Sequence, residues 1–134
     1  MTKAYTAPYI NFQGQAREAF EFYHSILGGK LTLLTIDSTG SMKAAQPGDA
    51  IGYGRLEAEE LRIIGSDGNP EYPSTHGNNI SILLAGPDRE DMTQAFHALA
   101  DGGTIAMPLT DAPWGSAGWL TDRFGITWNV DITK

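Results

Sequence analysis

Three histidines, sixteen acids and no cysteine make up the reactive inventory of this 134-residue chain. Without cysteine, thiol catalysis, disulfides and zinc–thiolate sites are excluded. His24 follows an apolar helical stripe and reads as a helix-flank residue. His97 falls off the apolar face of a second helix and reads as solvated. His76, in the long loop "GNPEYPSTHGNN", is either the one candidate general base or an ordinary loop residue. Asp67 in "SDGNP" and Asp122 in "TDRFG" are site acids or turn formers, and the turn role suits both. What remains is neutral chemistry set at alternate positions. In "ITWNVDI", Ile126, Trp128, Val130 and Ile132 share one face, and Thr127, Asn129 and Asp131 the other. In "PYINFQG", Ile10 and Phe12 oppose Tyr9, Asn11 and Gln13. Trp114, between Pro113 and Gly115, falls in a predicted loop, where its ring would plug a groove or touch a ligand or a partner chain. Gly115 and Gly118 are expected to let that loop move.

The elements that must position these groups alternate in period. "QAREAFEFYHSILGG" carries Ala16, Ala19, Phe20, Tyr23, Ile26 and Leu27 at helical spacing and stops at Gly28-Gly29. "KLTLLTID", "AIGYGRLEA" and "ELRIIGSD" read as strands, and "STGSMKAAQPGD" as a loop. A second set follows: the strand "NISILLAG", a helix beginning at an Asp88 cap and closed by Gly102-Gly103, then strands in "TIAMPLTD", "AGWLTD" and "ITWNVDI". Sliding the chain by 74 positions lays Gly28-Gly29 on Gly102-Gly103 and Phe22 on Phe96, and the element order matches as well. The fold class is therefore α+β: one domain over 1–134 made of two βαβββ modules, roughly 1–70 and 77–134. Each helix covers one sheet face, and the uncovered faces curve around a shared groove.

Bulk charge limits the partners. At a formal -7, with nine Lys and Arg scattered and none in a run, the chain lacks the basic patch that nucleic acid or an anionic membrane requires. The N-terminal "MTKAYTAPYINF" has no apolar signal core, and no apolar run reaches a membrane-spanning length, so a cytoplasmic protein is expected.

The stretches "PYINFQGQAREAFEFYHSILGGKL", "IIGSD" and "MPLTDAPWGSAGWLTDRFGITWNV" resemble the vicinal oxygen chelate superfamily, the glyoxalase/bleomycin-resistance/dioxygenase fold, and within it the PhnB-like branch. That branch is often labelled as related to a demethylubiquinone methyltransferase. The chain has no Gly-rich strand-to-helix turn suited to a nucleotide cofactor. The resemblance implies paired βαβββ modules and a homodimer. It also implies where a metal would sit in metal-dependent relatives: near Pro8 or Tyr9, near Gly65 or Ser66, on Asn79 and on Asn129. None of these is His, Glu or Gln, so no metal and no cofactor is expected.

The groove expected from this pattern is neutral. Asn11, Ser66, Asn79, Ser81, Thr127 and Asn129 point inward with Tyr9 and Trp114 at the rim, while Ile10, Phe12, Ile80, Ile82, Trp128 and Val130 pack under the helices. Such a lining suits recognition of a small molecule, and the net charge favours a cationic one. Three function classes stay open: a metal-free small-molecule binder, a lyase- or isomerase-type enzyme with a non-standard or absent metal site, and a structural or regulatory dimer.

Overall fold

The structure is a computed structural model and describes residues 4–134. The chain divides between Ser74 and Thr75 into two compact units. The first runs β1 (Tyr9–Asn11), α1 (Ala16–Leu27), β2 (Lys30–Ile36), β3 (Met42–Ala44), β4 (Tyr53–Ala58) and β5 (Leu61–Ser66). Its sheet has the order β1-β5-β4-β2-β3, with β1 parallel to β5 and the other pairs antiparallel. The second runs β6 (Ile82–Gly86), α2 (Arg89–Ala100), β7 (Thr104–Ala112), β8 (Gly115–Thr121) and β9 (Thr127–Thr133), in the order β6-β9-β8-β7 with β6 parallel to β9. The second unit is βαβββ, the first carries the additional edge strand β3 and reads βαββββ, and the α+β class holds.

Alternation and helical spacing account for the cores. In the first unit Ala16, Ala19, Phe20 and Tyr23 form the buried stripe of α1. Phe20 meets Phe12 edge-on at 5.4 Å between ring centroids. It can lie this low because β4 offers Gly54: a Cβ there would stand 2.5 Å from Phe20 Cε2. In the second, Met92, Phe96 and Leu99 of α2 are buried, as are Leu120, Trp128, Val130 and Ile132 on the strands. Each large apolar side chain buried this way contributes about 1.5–3 kcal/mol. Asp88 caps α2 by accepting from the Asp91 N–H at 2.9 Å.

Five expectations are corrected. The segment read as loop after β2 contains β3, a three-residue edge strand paired to Leu34–Ile36. The fifth expected strand starts at Ile82, so Asn79 lies in the preceding loop, Ser81 stands one residue before the strand, and Ile80 is 83% exposed instead of core. The helices are offset by 73 residues (Ala16 to Arg89), which equates buried Tyr23, not half-buried Phe22, with Phe96. Gly115 and Gly118 belong to β8 and serve close packing, not loop motion: a Cβ would come within 2.0 Å of Ile132 O at the first and 2.8 Å of Met107 O at the second. Asp67, read as the cap of the "SDGNP" turn, instead ties down backbone far away in sequence, as detailed below. No helix among the described residues is long and apolar enough to cross a membrane.

Candidate functional site

In the first unit β1 and β5 run parallel and end together at Asn11 and Ser66. The chain leaves β1 through Gln13, at φ 53, and Gly14, at φ 90, before entering α1. It leaves β5 through Asp67 and Gly68 into the long loop, which reaches Ser74 at the end of this unit. Between these exits lies a cavity of about 510 Å³, walled by Gly14, Ala50, Gly68, Pro70 and Pro73, with Asn11, Gln13, Asp67, Asn69 and Ser74 supplying the polar groups. That volume falls within the range of small-molecule sites.

Its polar groups are held by local bonds. Asn11 Oδ1 accepts from the Gln13 N–H at 2.8 Å, the side-chain-to-backbone turn that Asn favours. Its Nδ2 makes no hydrogen bond among the described residues. Gln13 Nε2 donates to Ser74 Oγ at 2.8 Å and clasps the loop there. Ser66 Oγ accepts from the Gly68 N–H at 3.1 Å. Gly68 has φ +80, and a Cβ would stand 2.2 Å from Asn11 Oδ1, so glycine is required by conformation and by space.

Asp67 is the one ionisable group of the lining, and both its oxygens are engaged. Oδ1 accepts from Ala16 N, the first amide of α1, at 2.9 Å, and Oδ2 from Ile51 N at 2.7 Å. The carboxylate thus fills the capping role that the helix's own N-cap, Gln15, leaves open. The cavity can bind through hydrogen bonds and apolar contact, and its one carboxylate already accepts two backbone N–H groups.

Of the expected site residues, Tyr9, Asn11 and Ser66 lie in this unit, all on the sheet face away from α1. Tyr9 is 61% exposed and Ser66 buried. In the second unit Asn129 Nδ2 donates to Ser81 Oγ at 3.0 Å. Thr127 stands opposite Thr121, with 3.5 Å between their hydroxyls. Asn79 is exposed in its loop and takes no part in this pairing. Trp114 occupies the two-residue tip between β7 and β8 and is 52% exposed.

The histidines keep apart. His24 Nε2 lies 3.1 Å from Gly29 O at the end of α1, His97 sits edge-on to Phe96, and the His76 ring packs on Gly125. Among the described residues no group of three His, Asp or Glu converges as a metal ion requires. The second unit's most polar knot is Ser116, whose hydroxyl donates to Asp111 and accepts from Arg89 Nη2 at 3.0 Å. That hydroxyl first, and then the Arg89 guanidinium, hold the Asp111 carboxyl below its usual range. Ser116 is fully buried, so the knot fastens α2 to the β7–β8 hairpin and offers no nucleophile.

Sequence reasoning missed Asn69 and Ser74, whose place in the cavity depends on the Gln13 clasp across 61 positions. It also missed Trp119. Register puts that residue on the α2-free face between Asn129 and Met107, in a row that begins at Leu83. The signal was available in the alternation of β8, where Gly118 and Leu120 are buried and Trp119 is 42% exposed.

The family model described as 3-demethylubiquinone-9 3-methyltransferase matches residues 4–131. Protein YjdN of Escherichia coli (strain K12) is 26% identical over 141 residues, covering 96% of this chain and 95% of the relative. The crystal structure of protein PA1353 from Pseudomonas aeruginosa is 36% identical with a TM-score of 0.83, covering 98% of each chain. A glyoxalase/bleomycin resistance protein/dioxygenase superfamily member from Sphaerobacter thermophilus, 20% identical, covers 98% of this chain and 99% of its own at a TM-score of 0.59, a likeness of fold. The chain belongs to the family so described, and its fold is that of the glyoxalase/bleomycin-resistance proteins.

Proposed function

We propose that this glyoxalase-like chain binds a small molecule without a metal. The observation that carries the reading is the cavity between β1 and the loop after β5: apolar walls, the unengaged Nδ2 of Asn11, and an acid already committed to structure. Residue types where the resemblance implies metal ligands support the metal-free part, since Tyr9, Ser66 and Asn129 offer no imidazole or carboxylate, and Asn79 lies off the strand. The methyl transfer named in the family's description is not part of this reading, because the one carboxylate of the lining is engaged by two backbone amides.

The discriminating variant is Asn11→Asp. It keeps the acceptor that the Gln13 N–H needs and replaces the Nδ2 donor by a second acceptor. A panel of neutral small molecules should yield a ligand whose affinity falls at least about tenfold in this variant, about 1.4 kcal/mol, with an unchanged melting temperature. Elemental analysis that finds about one transition metal per chain, lost on Asn129→Ala, would overturn the metal-free reading.

The same reading includes a homodimer. Leu83 at 61% exposure and Trp119 at 42% leave two large apolar side chains flanking Asn129 on the α2-free face, and β3 and β7 are edge strands of their sheets. Sedimentation at micromolar concentration should show twice the 14.5 kDa chain mass; a pure monomer would count against it.

A further inference from the structure

The nine basic residues look scattered along the sequence, but the register of the first sheet gathers three of them. Gly54 and Leu56 of β4 face α1, so Tyr53, Arg55 and Glu57 face away from it. Register sets Arg62 and Lys30 on either side of Glu57 on that same face. Three cations therefore share the face with one acid, in a chain whose net charge is -7.

The single acid is divided between two partners. Glu57 Oε1 stands 3.3 Å from Arg55 Nε and Oε2 3.7 Å from Arg62 Nε. Arg62 is further engaged by Tyr5, whose ring centroid lies 4.0 Å from Arg62 Cζ. Arg55 differs in that one of its donors is buried without a hydrogen bond. Its buried Nε is near Glu57 but forms no hydrogen bond, and its two Nη groups form none among the described residues. Its side chain is 33% exposed, so the guanidinium is partly desolvated yet reachable. The Tyr53 ring, 5.9 Å from Arg55 Cζ, flanks it.

We propose that Arg55 is an anion anchor: its Nη fork takes the carboxylate of a small aromatic acid on the α1-free face of the first sheet, with the acid's ring beside Tyr53. A guanidinium fork matches a carboxylate in two parallel hydrogen bonds, and a half-desolvated arginine lacking such bonds gains more from them than a solvated one. The charge of this face selects an anion, opposite to what the net charge of the chain favours. The inference rests on the small-molecule reading above but not on the cavity.

The test follows arginine Nε–Hε resonances of the full chain by NMR while benzoate, its uncharged isostere benzamide, and inorganic phosphate are titrated. Benzoate should shift the Arg55 resonance saturably and benzamide should not. Read on the Tyr53 backbone amide, which these variants retain, Arg55→Met should raise the benzoate dissociation constant at least about tenfold, and Arg55→Lys, which keeps the charge but loses the fork, should raise it less. Glu57→Gln should lower it, because the competing carboxylate is gone; a merely structural role for the Arg55–Glu57 pair gives no such gain. Equal responses to benzoate and benzamide, or weaker binding in Glu57→Gln, overturn the proposal. A stronger response to phosphate than to benzoate overturns the carboxylate assignment. The side-chain amide resonances of Asn11 and Gln13 report on the cavity separately. Neutral ligands that move them while benzoate fails leave the cavity reading intact. Benzoate that moves Arg55 while no panel compound moves Asn11 removes the cavity reading and supports this one.

Discussion

The indole N–H of Trp128 donates to Asp122 Oδ2 at 3.0 Å, and both residues are buried. The other carboxylate oxygen accepts from Phe124 N at 2.9 Å and Ile126 N at 3.0 Å, so one side chain closes the β8–β9 turn and pins the largest core ring. Trp128→Ala should therefore cost about 3–5 kcal/mol through the cavity it leaves. Asp122→Ala should cost at least about 2 kcal/mol, because it strands buried donors. Urea titrations measure both; a stable Trp128→Ala protein would mean that the terminal strand's faces are inverted.

Trp114 is the matched contrast. It is of the same residue type but sits at the hairpin tip, 52% exposed. Trp114→Ala should shift stability by no more than about 0.5 kcal/mol, as for a surface position with no special contact. A loss comparable to that of Trp128→Ala in the same titration would contradict the exposed placement.

Gly68→Ala should disturb the cavity without touching either core. The new methyl collides with Asn11 Oδ1 and strains a left-handed backbone, at a cost of about 1–2 kcal/mol. Hydrogen exchange should quicken at the Gln13 amide, which that oxygen holds. An unchanged Gln13 amide would show that the loop adapts elsewhere.

These residues differ in how far they could be read from the chain alone. Trp128 was assigned to the core correctly because β9 is a central strand with a one-sided apolar pattern, and a period of two leaves no ambiguity there. Asn79 falls outside the strand although "NISIL" alternates as a strand does, because pairing with β9 begins only at Ile82. β3 escaped notice because three residues at a sheet edge need no apolar pattern. The two helices and their closing glycines were legible because their signals are local. The cavity and the Arg55 face were not. The cavity depends on a clasp across 61 positions, and a lone arginine in a strand carries no sign of its face until register with β2 and β5 is known.

The knot of Asp111, Ser116 and Arg89 should leave a mark on the pH dependence of stability. Ser116 and then Arg89 lower the Asp111 pKa from its ordinary 3.8, so the folded chain holds this carboxylate charged more tightly than the unfolded chain does. For a depressed carboxylate the sign is fixed: the stabilisation is fully present above the unfolded value and disappears as pH falls through the folded one. Asp37 is lowered as well, by the Thr39 hydroxyl and the Ser41 and Thr39 amides. It is common to the wild type and an Asp111→Asn variant, and therefore cancels in their difference. The stability gap between those two proteins should stay constant from about pH 7 to about pH 5 and narrow as pH falls below 3.8. Urea melts of both proteins across that range test this; a gap that widens in acid would mean that Asp111 is not held in its charged form by Ser116 and Arg89.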